Sequence, residues 1–137
     1  MYQALQVYRQ QFRPSPQLDK PYAMVGAAVV AADSDDEARR LFTTLQQQFT
    51  NMLRNTRGQM APPLDDIDQY WSPAEKAQVA RMLACAFHGS PTTIRASLER
   101  LIEDTGADEL MVTGPIFDHA ARLRSYELLA ACGVMAR

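Results

Sequence analysis

Two cysteines, Cys85 and Cys132, are all the sulfur chemistry this sequence carries beyond its methionines. Their spacing fits no metal or redox pattern, and two thiols are ordinary in a reducing cytosol. Charge is equally sparing: fourteen Lys and Arg against sixteen Asp and Glu leave a formal net charge of −2. Nothing electrostatic therefore calls for nucleic acid or an anionic membrane as partner. No apolar run approaches the roughly 18 residues of a membrane span, and MYQALQVYRQQFRP has no signal-peptide core. Gly-x-Ser-x-Gly, a phosphate-binding glycine loop and a Cys–His nucleophile pair are all missing. The expectation is a soluble, cytoplasmic α/β chain, and 137 residues suit one domain, 1–137.

Leu5, Tyr8 and Phe12 share one helical face, after which the prolines at 14, 16 and 21 force an extended surface loop. From Ala23 to Ala32 every residue is small or apolar, without polar alternation, which suits a parallel strand covered on both faces. Ser34 with Glu37 three residues later opens a helix, and Asp35 and Asp36 favour its positive end. Its apolar face continues through Leu41, Phe42, Leu45 and Phe49 to about residue 54.

The stretch NTRGQMAPPLDDIDQY has the composition of a long loop, which in a compact domain is usually functional, mobile or both. Ser72, Pro73 and Glu75 then cap a second helix, expected to run to about Phe87, and Gly89-Ser90-Pro91 opens a third in the same manner. A strand over 109–113 and a helix over 118–131 complete the chain, with Cys132-Gly133 as its stop. Two strands separated by helices indicate a parallel pair with right-handed crossover. Two such strands do not make a stable core alone. The edges and apolar faces left over predict association with further copies of the chain or another subunit.

His119 stands where the second strand's loop becomes a helix, either lining a pocket or satisfied within the first turn. Asp118 is read as the cap of that helix rather than a base. Arg122 and Arg124 suit a phosphate but alternate with apolar residues, as a solvated helix face does. The N–H groups after Gly89-Ser90-Pro91 suit an anion, although the cap alone explains that sequence. Cys85 and His88 lie three apart, too few ligands for zinc. Trp71 and Tyr70 beside the long loop either cover a planar ligand or staple the helix that follows.

YAMVGAAVVAADSDDEARRLFTTLQQQF and WSPAEKAQVARMLACAFHGSPTTIRASLERLIEDTGADELMVTGPIFDHAARLRSYELLA together resemble the C-terminal part of a bacterial-luciferase-like, flavin-dependent monooxygenase. The resemblance covers essentially the whole chain. It departs from the family at Thr92, where an acidic residue usually follows Gly-Ser-Pro. It implies an α/β fold equivalent to the last two β/α units of a (β/α)8 (TIM) barrel, with parallel strands and four to five helices. It also implies oxidation of a small organic substrate, aldehyde-like or other, by O2 and reduced flavin mononucleotide (FMN). Thr113, Gly114, Phe117, His119 and Trp71 would line the cofactor pocket. The family's early strands, which supply much of that pocket, are not in these residues. The resemblance therefore implies a chain that does not hold flavin tightly or turn over alone. The alternative is a self-associating interaction module, or a truncated product without catalytic activity.

Overall fold

Residues 24–31 contain neither charge nor proline, so a strand there can be buried on both faces and paired on both edges. The computed structural model, which describes residues 1–56 and 58–134, makes them the central strand, paired on one edge along Met24–Ala28 and on the other along Ala28–Ala31. Its strands are Met24–Ala31 (β1), Ala86–Gly89 (β2) and Glu109–Thr113 (β3), all parallel and ordered β2-β1-β3. The helices are Tyr2–Gln11 (α1), Asp35–Leu53 (α2), Pro73–Met82 (α3), Pro91–Thr105 (α4) and His119–Ala131 (α5), with a 3-10 turn at Ile67–Gln69. The expected α/β chain of parallel strands and five helices is thus present among the described residues.

The third strand corrects the sequence reading, which carried the second helix on to about Phe87. Helix α3 ends at Met82, and Ala86–Gly89 instead pairs with Ala28–Ala31 of β1. Pairing with a distant strand outweighs the apolar spacing that favoured helix there. Cys85 and His88 accordingly lie in a turn and a strand, not on one helix face. Consecutive strands of a barrel are neighbours, whereas here β3 passes β2 and pairs with Met24–Ala28 of β1. Because β2 has only four residues, β1 is the strand with backbone left to offer.

Successive crossovers in opposite directions place helices on opposite faces when both are right-handed. Val25, Ala27, Val29 and Ala31 pack on Ile94, Leu98 and Leu101 of α4 and Leu128 of α5. Val30 and Ala32 pack on Ala38, Leu41, Phe42 and Leu45 of α2, together with Ile116. This second layer covers only the C-terminal half of β1. Met24 (46% exposed) and Met111 (57% exposed) stay open on the uncovered half of that face.

The expected caps form at Ser34, whose side chain accepts from the Glu37 N–H, and at Ser72, where both halves of the box with Glu75 are made. Ser90 takes the N-cap position of α4 but makes no side-chain cap bond; its hydroxyl meets Thr93 Oγ1 at 3.2 Å instead. The long loop after α2 is fastened rather than free. Thr43 Oγ1 accepts from Leu64 N at 2.8 Å, Thr44 Oγ1 donates to Ala61 O at 3.0 Å, and Gln47 Nε2 donates to Pro62 O at 2.9 Å. At its far end Arg54 donates to Tyr70 O and to both carboxylate oxygens of Glu75.

Candidate functional site at the carboxyl ends of the strands

Loops leaving the carboxyl ends of parallel strands are where α/β folds assemble sites. Here Ala32–Ser34 follows β1, Ser90 follows β2, and the segment 114–118 follows β3. The last of these is the longest, and it bridges the two faces of the sheet. Ile116, fully buried, sits in the α2 layer, while Asp118 starts α5 on the other face. The Asp118 carboxylate accepts from Ala121 N at 2.8 Å, as the capping reading expects.

Thr113, Gly114, Phe117 and His119 come together on this loop. Thr113 ends β3 and is exposed, and Phe117 is 48% exposed. Gly114 N donates to the Tyr126 hydroxyl at 2.8 Å, and a Cβ at Gly114 would lie only 3.0 Å from the Tyr126 ring. Absence of a side chain is what lets the strand end lie against α5 there. His119 Nδ1 is 2.8 Å from Arg122 Nη2. A guanidinium only donates, so Nδ1 accepts and the ring proton of a neutral His119 sits on Nε2, facing away from Arg122.

Arg124 is committed elsewhere. Its guanidinium meets Asp33 at 2.7 Å and ties α5 to the exit of β1, and this pairing holds the Asp33 carboxyl below its usual range. Asp35 makes a second tie. Its carboxylate accepts from Ser90 N at 2.7 Å, joining the start of α2 to the start of α4, and that bond above all lowers its pKa. Beside it His88 stacks on Phe42, with centroids 4.4 Å apart and planes 18° from parallel. Burial, with Arg39 adding to it, pushes the His88 pKa down, and Asp35 opposes the shift.

Trp71 belongs to a different neighbourhood. Its indole N–H donates to Asp68 Oδ1 at 2.9 Å and Lys76 Nζ lies 5.9 Å from the ring centroid, so its described contacts hold the entry to α3. A cavity of about 290 Å³, lined by Phe49, Asn51, Met52 and Ala61 among others, lies at the C-terminal end of α2. A helix of 19 residues puts that end roughly 28 Å from its start at the strand exits. Among the described residues, the cavity's lining contains no acid, base or cysteine.

Sequence reasoning did not single out Tyr126 or Ser125, nor the pairing of Asp33 with Arg124. Ser125 Oγ accepts from Ala31 N at 2.9 Å, replacing the strand that β3 no longer provides beyond Thr113. An Asp immediately after a strand and an Arg on the returning helix were the only signal. Among the described residues no three His, Cys, Asp or Glu side chains gather as metal ligands. None of the described helices is long and apolar enough to cross a membrane.

No protein-family model matches the chain. It is 46% identical over 128 residues to a protein of Escherichia coli (strain K12) named luciferase-like monooxygenase, a match covering 93% of this chain and 38% of that protein. It is equally 46% identical over 127 residues to the uncharacterized protein YvbT of Bacillus subtilis (strain 168), with the same shares covered. Among solved structures, that of apo-MsnO8 superposes with a TM-score of 0.75 at 29% identity, over 96% of this chain and 40% of MsnO8. The chain spans less than two fifths of the length of these curated relatives. By sequence, the chain is therefore similar to a little over a third of a protein named luciferase-like monooxygenase, and by fold to a like share of MsnO8.

Proposed function

We propose that this chain forms the C-terminal rim of a flavin-dependent monooxygenase site, in which a small organic substrate, aldehyde-like or other, is oxidised by O2. Reduced FMN would supply the electrons for that reaction. The observation that carries the reading is the 46% identity, over nearly the whole chain, to a protein named luciferase-like monooxygenase.

The residues present do not make a flavin site by themselves. Thr113, Phe117 and His119 are exposed, the Gly114 N–H is taken by Tyr126, and Arg124 is taken by Asp33. A flavin needs enclosure that excludes water as well as contacts, and this loop offers a wall of that enclosure. In the proposed role Phe117 covers apolar ring surface and the free Nε2–H of His119 donates to a substrate or cofactor oxygen. Tyr126 fixes where the loop turns.

The test is anaerobic titration with reduced FMN, followed by flavin absorbance. The chain alone should show no saturable binding. Together with a polypeptide carrying the remaining length of the Escherichia coli relative, it should bind flavin and consume O2 when an aldehyde is added. Phe117→Ala and His119→Ala should weaken that binding. A combined preparation that binds no flavin, or full activity from this chain alone, would refute the proposal.

A further inference from the structure

The Asp35 carboxylate joins two helix starts. It belongs to the first turn of α2, yet it accepts from Ser90 N at 2.7 Å, and the Ser90 and Thr93 hydroxyls add to its hold. Ser90 makes no side-chain cap bond of its own, so the start of α4 is held by a carboxylate from another helix. Gly89 keeps the approach open, since a Cβ there would lie 2.9 Å from Asp35 Oδ1.

His88 is placed to compete for that carboxylate. Its position in β2, opposite Val30 of β1, turns the side chain to the α2 layer, where the half-buried ring stacks on Phe42. Stacking uses the flat of the ring and leaves both nitrogens at its edge, able to bond in plane. Of the elements packed on β2, β1 faces His88 with neutral Val30, and α4 offers neutral Ser90 and Thr93. Helix α2 supplies the charges: Asp35, which favours an imidazolium, and Arg39, which opposes it while pairing with Asp36. A neutral ring leaves Asp35 with its backbone N–H. An imidazolium offers it a charge-assisted bond, roughly twice as strong as a neutral one.

We propose that His88 is a proton-operated release for this joint: once protonated, its ring takes the Asp35 carboxylate from the Ser90 N–H and frees the start of α4 from the start of α2. The joint stands at the strand exits, and Ile116 of the loop after β3 packs in the same layer, so acid loosens one support of the candidate site.

The direction in pH follows from the two groups. Burial first, then Arg39, keeps the His88 ring neutral to below its usual value of about 6.5, and the Ser90 N–H keeps Asp35 ionised below its usual value of about 3.9. Imidazolium and carboxylate therefore coexist between the two titrations, and release belongs to that window. At higher pH the joint is closed. A histidine held neutral by the fold also costs stability as pH falls through its folded value. This inference is independent of the flavin reading, because it is measured without flavin and its failure leaves that reading untouched.

The test follows the Ser90 amide and the histidine rings of the nitrogen-15-labelled chain by NMR, from about pH 8 down to about pH 4.5, on either side of the usual histidine value. His88→Phe keeps a ring on Phe42 that cannot take a proton, and Asp35→Asn removes the carboxylate without touching the stack. In the wild type the Ser90 amide proton should move upfield with the same midpoint as the His88 ring. Its exchange with solvent should quicken about tenfold or more across that step, as loss of a bond to a charged group implies. Neither change should occur in His88→Phe, and in Asp35→Asn the Ser90 amide should no longer follow the ring. A wild-type Ser90 amide that ignores the His88 titration overturns the proposal, as does one that still titrates in folded His88→Phe or still follows the ring in Asp35→Asn.

Discussion

Replacing Ser125 by alanine probes how the sheet is completed where β3 stops. Both ends of the bond are buried, Ala31 at 1% and Ser125 at 2% exposure, and the N–H to Oγ distance is 2.9 Å. Alanine leaves a donor in the core with no acceptor and a space smaller than a water molecule. An unsatisfied buried donor costs about 2 kcal/mol, within a range of roughly 1–3. For a chain of this size, that lowers the thermal midpoint by roughly 6 °C. Urea unfolding measures the loss, and hydrogen exchange at the Ala31 amide locates it. Ser97→Ala is the control, since its hydroxyl donates to Thr93 O at 2.9 Å within α4 and leaves no buried donor orphaned. That control should stay within about 0.5 kcal/mol of wild type. If Ser125→Ala costs no more than Ser97→Ala, and Ala31 exchanges no faster, the account of this edge is wrong.

Gly89 has φ +155°, and a Cβ there would sit 2.6 Å from Thr93 Cγ2, so Gly89→Ala should destabilise by about 3 kcal/mol in urea unfolding. The Glu75 carboxyl is drawn down to about 2, first by Arg54 and then by the Ser72 N–H. A lowered carboxyl stabilises above its unfolded pKa and loses that contribution as pH falls through the folded one. The urea midpoint should therefore drop between about pH 4.5 and pH 2, and drop less over that window in Glu75→Gln. Thr43→Val removes the acceptor of Leu64 N, and it should speed exchange at the Leu64 amide while costing about 1 kcal/mol globally.

The parts of the fold that were legible are those whose causes lie within a few residues. Ser34, the Ser72–Glu75 box and Asp118 cap the helices their sequences announce, because a cap needs only its own first turn. Strand β1 was legible from its uninterrupted small apolar residues. Strand β2 was not, since Ala-Phe-His-Gly becomes a strand only by lying beside Ala28–Ala31. Nor could Thr43, Thr44 and Gln47 be read as buried. They are polar positions on the far side of α2 from the sheet, and they leave solvent because the loop 61–64 lies over them, accepting from Thr44 and Gln47 and donating the Leu64 N–H to Thr43. At the candidate site, the loop after β3 was placed correctly by its Thr-Gly-Pro break and its capped helix. Its supports, Tyr126 and the Asp33–Arg124 pair, depend on α5 folding back over the sheet, which no local spacing encodes.

The position of β1 between two later strands also sets a timetable. Ala23 and Asp108, which bond where β1 and β3 begin, are 85 residues apart in the chain. At the usual ribosomal pace of about 5–20 residues per second, that interval is roughly 4–17 seconds. Throughout it the most apolar strand exists without the neighbour that pairs with its first half. Helix α2 emerges first and can shield one face, but the face that awaits Ile94, Leu98 and Leu101 of α4 and Leu128 of α5 stays wet until those residues have been made. The nascent polypeptide should therefore engage holding chaperones through residues 24–31 and leave them only after β3 has cleared the ribosome.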